Sequence, residues 1–270
     1  MGSGIGIGNA NLFTSVAGVV TPPGYSNLYS IDFDGVDEFI DLGNNSSLRP
    51  SIAAGASVSV WAKWVSTTGS TSSIFSNNSQ LGVYYGINID KNSNGYVAMS
   101  TGDGTGTGSG DRRTCRTVNN ELTDNAWNHI VCVWGSTSSS DFDIYINGAS
   151  VATLTSGSGG VNAYNAANNA FIGKRFTAGT LLMDGKLDEI GFWNSALTAS
   201  EANAIYNGGT PFDLTSDNGN YVSSADLIGY WRNGDPNGTA SYPTITDDSK
   251  NTNNGTMTNM ESGDIITDVP

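Results

Sequence analysis

The stretch SIDFDGVDEFIDLG, residues 30–43, places four Asp and one Glu between alternating apolar residues. Only 13% of the chain is charged, so this density needs a reason. Residues two apart on a strand share a face. Ile31, Phe33 and Phe39 therefore point inward, and Asp32 and Asp34 point out. The DGVDE between them has turn chemistry: Gly35 tolerates a positive φ, and Asp34 and Asp37 accept hydrogen bonds from backbone N–H groups. The stretch predicts two short strands joined as a hairpin.

The same pattern recurs outward from it. ASVSVWAKW puts Val58, Val60, Ala62 and Trp64 on one face and Trp61 on the other. SIFS, LGVYYGINI, GYVAMS, WNHIVCVWG, DFDIYING, ASVATL, AFIGK and GKLDEIGFW follow, separated by clusters of Gly, Asn, Ser and Asp. About eleven to thirteen short strands at a spacing near ten residues indicate an all-β antiparallel sandwich or barrel. One short helix interrupts them, SALTASEANAIYNGG. Thr198 and Glu201 form a capping box, Ala202, Ile205 and Tyr206 share a face, and Gly208 and Gly209 end it. It reads as a lid beside the sandwich. The tail, 210–270, is rich in Asn, Thr and Asp, and only LIGYW reads as a strand. It is too polar to fold alone and is expected to pack on the sandwich or on a neighbouring subunit.

Composition narrows the partners. The chain carries 25 acidic and 11 basic residues, a formal charge of −14, which argues against nucleic acid because phosphate binding needs a basic patch. No run approaches the ~18 apolar residues of a membrane span. The first basic residue is Arg49, so no secretory signal is read at the start, which predicts a product of the cytosol. Cys115 and Cys132 lie equidistant from the centre of NNELTDN. In a hairpin such residues face each other, so a disulfide is geometrically allowed. A reduced buried pair is the alternative that a cytosol favours.

Seven blocks stand in order: FDGVDEFIDLG, SVSVWAKW, SIFS, LTDNAWNHIVCVW, DIYINGASV, FIGK and GKLDEIGFWNSALTASEANAIYNGG. Together they resemble the laminin-G-like jelly roll of the concanavalin A-like lectin/glucanase superfamily. The resemblance implies an antiparallel two-sheet jelly-roll sandwich over 29–209, between an N-terminal arm (1–28) and a C-terminal extension (210–270). In many bacterial members the GYW…D.S.N.N.GT block precedes the FDG block; here it follows the helix. Members often bind sugars or proteins and often carry calcium. In those with structural calcium the ion ties the start of the jelly roll to its last strand, which implies Asp34, Asp37 and Asp188 as ligands.

For chemistry, no E-x-D-x-E arrangement occurs, which a retaining glycosidase on this fold would use. His129, the single histidine, sits in AWNHIVCVW opposite Ile130, Cys132 and Trp134, and reads as structural. Catalysis is not expected. Sugar recognition pairs an aromatic ring with Asp and Asn side chains, and the loop VNAYNAANNA supplies Tyr164, Asn165 and Asn168. The Gly-rich start, the Asn/Thr-rich C-terminus and the acidic balance resemble structural proteins of marine bacteriophages. Two function classes follow. One is a virion protein, a capsid decoration or tail appendage, assembled as a trimer or other closed homo-oligomer with further virion proteins. The other is a cellular or extracellular carbohydrate-binding module.

Overall fold

The computed structural model describes residues 25–77, 80, 82–159, 163–165, 167–176 and 181–270. Most of the N-terminal arm, residues 1–24, lies outside them. In chain order the strands are β1 (Ser30–Asp34), β2 (Phe39–Asp41), β3 (Ala56–Lys63), β4 (Ser72–Asn77), β5 (Ile87–Lys91), β6 (Val97–Gly102), β7 (Arg112–Thr117), β8 (Trp127–Trp134), β9 (Phe142–Ile146), β10 (Ala149–Ser150), β11 (Thr153–Ser156), β12 (Ala170–Ile172) and β13 (Asp184–Trp193). Helix α1 (Ala199–Tyr206) follows, then β14 (Leu227–Trp231), β15 (Thr244–Ile245), β16 (Gly255–Thr258) and β17 (Ile265–Ile266).

These form two antiparallel sheets. The first runs β10-β9-β8-β3-β13-β1-β17, with β14 also on β13; the second runs β11-β7-β6-β5-β4-β12-β2-β16-β15. Alternation drives the sandwich. Val58, Val60, Ala62 and Trp64 of the first sheet meet Phe75, Ile87, Ile89 and Met99 of the second in one core, with Trp134, Phe192 and Trp231 fully buried among them. All-β sandwiching of the expected kind is therefore present.

Three local expectations are corrected. First, residues 30–43 are not a hairpin. β1 pairs β13 in the first sheet and β2 pairs β12 and β16 in the second, so the DGVDE turn carries the chain across the sandwich. Second, the two cysteines do not face each other across a hairpin. β7 pairs β6 and β11, whereas β8 pairs β3 and β9. Both thiols point into the core from opposite sheets, free and buried, and burial pushes both pKa values up. Third, the tail holds more than the LIGYW strand. β14 extends the first sheet, β16 lies on β2, and β17 lies on β1. Beside that last pairing the Ser30 hydroxyl donates to the Asp268 carbonyl at 2.7 Å, so the chain's described start and its end are neighbours.

The helix matches its sequence signature. Thr198 accepts from Glu201 N, and the Glu201 carboxylate accepts from Thr198 N. Its apolar face, with Phe212, Tyr221 and Tyr230 from the tail, covers Val131, Val133, Tyr145 and Trp193 on the outside of the first sheet. The first sheet is thus apolar on both faces. The second is apolar inward, and its outer face is polar apart from the Phe39–Phe171 pair.

Candidate functional site

Register alone defines that outer face. Ser156 pairs Thr114, Thr114 pairs Ser100, Ser100 pairs Asn88, and Asn88 pairs Ser76. Ser76 pairs Phe171, Phe171 pairs Asp41, Asp41 pairs Thr256, and Thr256 pairs Thr244. One residue from each of the nine strands makes a row of hydroxyl, amide and carboxylate groups interrupted by a single aromatic ring. The middle of the row is roofed. The Ser76 hydroxyl donates to the Lys174 carbonyl at 2.8 Å, and Arg175 pairs with Asp90 at 3.0 Å. Burial raises the Asp90 carboxyl, and Arg175, then Ser73 and Asn88, hold it back. The two ends of the row are open.

At one end lies a shallow cleft of about 420 Å³ lined by Asp41, Asn45, Asn169, Asn254, Thr256 and Thr258. Asp41 is positioned from two sides. Oδ1 accepts from Gly43 N at 2.8 Å and from Asn169 Nδ2 at 2.9 Å, and Oδ2 accepts from the same amide at 3.0 Å. A carboxylate has about four acceptor sites, so Oδ2 retains one for a hydroxyl entering the cleft. Phe39, two residues earlier on the same face, stands beside it with the Lys174 ammonium 3.8 Å from its ring centroid.

At the other end, arginines lie over tyrosines. The Arg112 guanidinium is 4.7 Å from the Tyr84 ring centroid and Arg175 is 5.3 Å from the same ring; Arg116 is 4.8 Å from Tyr96. The glycine-rich loop explains how Tyr84 gets there. Gly102 N donates to Gly86 O at 3.1 Å and Gly104 N to Tyr84 O at 2.8 Å. A Cβ on Gly102 would stand 2.2 Å from the Tyr84 carbonyl. Gly102→Ala is therefore expected to cost about 1–3 kcal/mol as an overpacking change and to displace Tyr84. Thermal unfolding checks the first effect and tyrosine fluorescence quenching the second. An unchanged Tm would discount the close approach.

The residues singled out in the sequence fall elsewhere. Asp34 and Asp37 are exposed, and Asp34 Oδ1 accepts from Val36 N and Asp37 N, the turn chemistry expected of it. Glu38 reaches back to Asp34 N at 2.8 Å, and burial raises its pKa to about 7. Asp188 is fully buried. Asp34 pairs Asp184, so Asp188 lies four residues along β13, about 13 Å away. The three do not converge, and the described residues contain no group of three or more acid, His or Cys side chains able to hold a metal. Tyr164 turns its hydroxyl inward to Pro50 O at 2.8 Å, and burial pushes that hydroxyl up. The Asn165 and Asn168 amides both reach Gln80 Oε1 at 3.4 Å, so this loop is pinned to the fold. His129 shares a 2.8 Å hydrogen bond with Ser59 and lies against Trp61 and Tyr206; burial lowers its pKa to about 3 and keeps it neutral.

Asp188 belongs instead to a buried junction. One side of β13 takes β1 along its first half and β14 along its second, and the two part at Asp188 and Glu189. Glu189 sits there at φ +47°. The gap is filled by polar side chains: Asn27 donates to Asp188 at 3.0 Å, Asn233 to Leu187 O at 2.8 Å, and Arg232 to Glu189 at 3.2 Å, while Tyr230 donates to Glu189 as well. Asp235 accepts from Leu28 N and lies 3.7 Å from Arg232. Burial raises the pKa values of Asp188 and Asp235, and that of Glu189 to about 7.

Comparison with curated proteins returns no match. Among solved structures, the fold is similar to a Bacteroides ovatus protein to which carbohydrate binding has been ascribed, at 17% identity and a TM-score of 0.60 over 91% of this chain and 62% of that one. This chain thus spans less than two thirds of that relative. It is also similar to the Ruminococcus gnavus IT-sialidase CBM40, at 13% identity and a TM-score of 0.50 over 66% of this chain and 96% of that one. At these identities the likeness shows the fold alone. No helix among the described residues is long and apolar enough to cross a membrane. A family model matches residues 34–203, more than half of the chain and most of the span of the ordered blocks, and with the two-sheet sandwich this places the chain in the concanavalin A-like lectin/glucanases superfamily.

Proposed function

We propose that the chain is a non-enzymatic carbohydrate-binding module whose saccharide sits in the Asp41 cleft. The observation that carries this reading is the cleft itself. It is open, it sits on the outer face of the second sheet, and its lining is a carboxylate, amides and threonine hydroxyls with Leu42 and Gly43. Such a set exchanges hydrogen bonds with sugar hydroxyls. The oriented Asp41 accepts from a hydroxyl, and Thr256 and Thr258 donate or accept. The likeness in fold to carbohydrate-binding proteins supports this class over the virion class. An extracellular or cell-surface setting belongs to the same reading.

Glycan microarray screening followed by calorimetric titration tests it. Asp41→Ala is expected to weaken binding about tenfold or more, the scale of a hydrogen bond to a charged group, with the fold intact because Asp41 is partly exposed. Unchanged affinity would move the site elsewhere, and absence of binding to any saccharide would sink the function.

A further inference from the structure

We propose that the opposite end of the same sheet face reads negative charge, so that the saccharide bound is an acidic one, carboxylated or sulfated. The inference rests on the glycan-binding reading above and adds a second subsite to it. In a chain with 25 acids and 11 bases, each base has acids to choose from. Lys63, Lys186, Arg175 and Arg232 all have carboxylate partners. The other seven bases have none within 4 Å among the described residues, and none of the residues outside them is acidic; three of the seven, Arg112, Arg113 and Arg116, stand together on β7.

These three side chains are held in other ways. Arg113 donates to the carbonyls of Gly159 and Thr137. Arg116 donates to Thr117 O at 2.9 Å and lies over Tyr96, and Arg112 lies over Tyr84. Among the nearby loop acids, Asp111 accepts from Gly108 N at 2.7 Å, and Asp103 accepts from Thr105 N at 3.0 Å. Arg112 and Arg116 sit four residues apart on one face of β7, about 13 Å, with Thr114 between them. A guanidinium stacked on a ring keeps its N–H edge for a planar anion, and a carboxylate or sulfate accepts from it in the bidentate way. Three arginines gathered on one strand without a carboxylate, two of them stacked on the outer face of the sheet, give a strongly acidic protein charge complementarity to an anionic ligand there. From β7 to β2, where Asp41 lies, is five strand spacings, about 24 Å. An acidic oligosaccharide lying across the sheet reaches both ends.

The test compares galacturonate oligomers with their methyl esters, and sulfated dextran with plain dextran, by calorimetry on the full chain. The acidic form of each pair is expected to bind at least about tenfold more tightly, one charge-assisted contact's worth, and to lose that margin as NaCl rises from low to high concentration. In the double variant Arg112→Gln, Arg116→Gln the margin is expected to vanish while binding of the ester remains. A margin seen with one acid only names which anion is read and supports the proposal. Equal binding of acid and ester by the wild type overturns it and leaves the glycan reading standing. So does a margin that survives in the double variant. Binding of neither member of either pair overturns the proposal and leaves the glycan reading to the microarray. If the variant fails to unfold cooperatively, the salt dependence of the wild type decides alone, and a salt-independent affinity overturns the proposal.

Discussion

Arg232→Met is expected to destabilise the protein by about 3–5 kcal/mol at pH 7.5, the scale of removing one partner from a buried charge cluster, and by much less at pH 5. Arg232 is the cation paired with Glu189 and Asp235, beside Asp188, where β1 and β14 part. Burial raises all three carboxyl pKa values, that of Glu189 to about 7 against 4.5 unfolded. A raised folded pKa means that the stability contributed by protonation is fully present below the unfolded value and is lost as pH rises through the folded one. Without the guanidinium the Glu189 value rises further, so the loss deepens between pH 5 and 8. Glu201 and Asp268, whose pKa values are lowered, act at pH below their unfolded values and stay outside this window. Asp248, which burial raises and Arg232 holds back, shifts in the same direction, whereas Asp90 and Glu38 titrate alike in both proteins and cancel in the difference. Urea unfolding of wild type and variant at the two pH values measures it. An equal loss at both would show that Arg232 acts through packing and not through charge.

The second large effect concerns the tail. A chain ended after Gly209, near the limit of the family match at 203, is expected not to fold. Residues beyond it supply β14 to β17 and eleven buried apolar or aromatic side chains, from Phe212 and Leu214 to Met260 and Ile265. Trp231 is wholly buried in the main core, and its indole donates to Asn253 O at 2.8 Å. Each such side chain contributes about 1.5–3 kcal/mol of burial, and a domain's net stability is only about 5–15 kcal/mol. Truncation removes all eleven and also bares the surface they cover, Val131, Val133, Tyr145 and Trp193 on the first sheet among it, which the remaining chain cannot offset within that margin. Circular dichroism and calorimetry on the truncated chain should show no cooperative transition. A sharp transition near the wild-type Tm would make the tail an accessory.

What could be read without coordinates was what is local. Period-two runs gave the strands of ASVSVWAKW and WNHIVCVWG, and the Thr198–Glu201 box gave the helix. The misreadings came where pairing partners are far apart in sequence. Nothing in RRTCRTVNNELTDNAWNHIVCVW distinguishes a hairpin from a crossing between sheets. Gly255–Thr258 carries one large apolar residue, Met257, too few to show a period. The site had the same difficulty. Asp41, Asn169 and Thr256 lie in three separate segments joined only through β12, β2 and β16. The arginine end was partly legible, since Arg112, Thr114 and Arg116 alternate along one run in a chain with six arginines.

The pairing of β1 with β17 has a mechanical and topological consequence. Ser30, where β1 begins, lies opposite Ile266, where β17 ends, so the first strand starts and the last strand stops at the same end of one edge of the first sheet. Tension applied across Ser30 and Ile266 would peel the two strands apart from that end, one hydrogen bond at a time, and would not load the cleft on the other sheet.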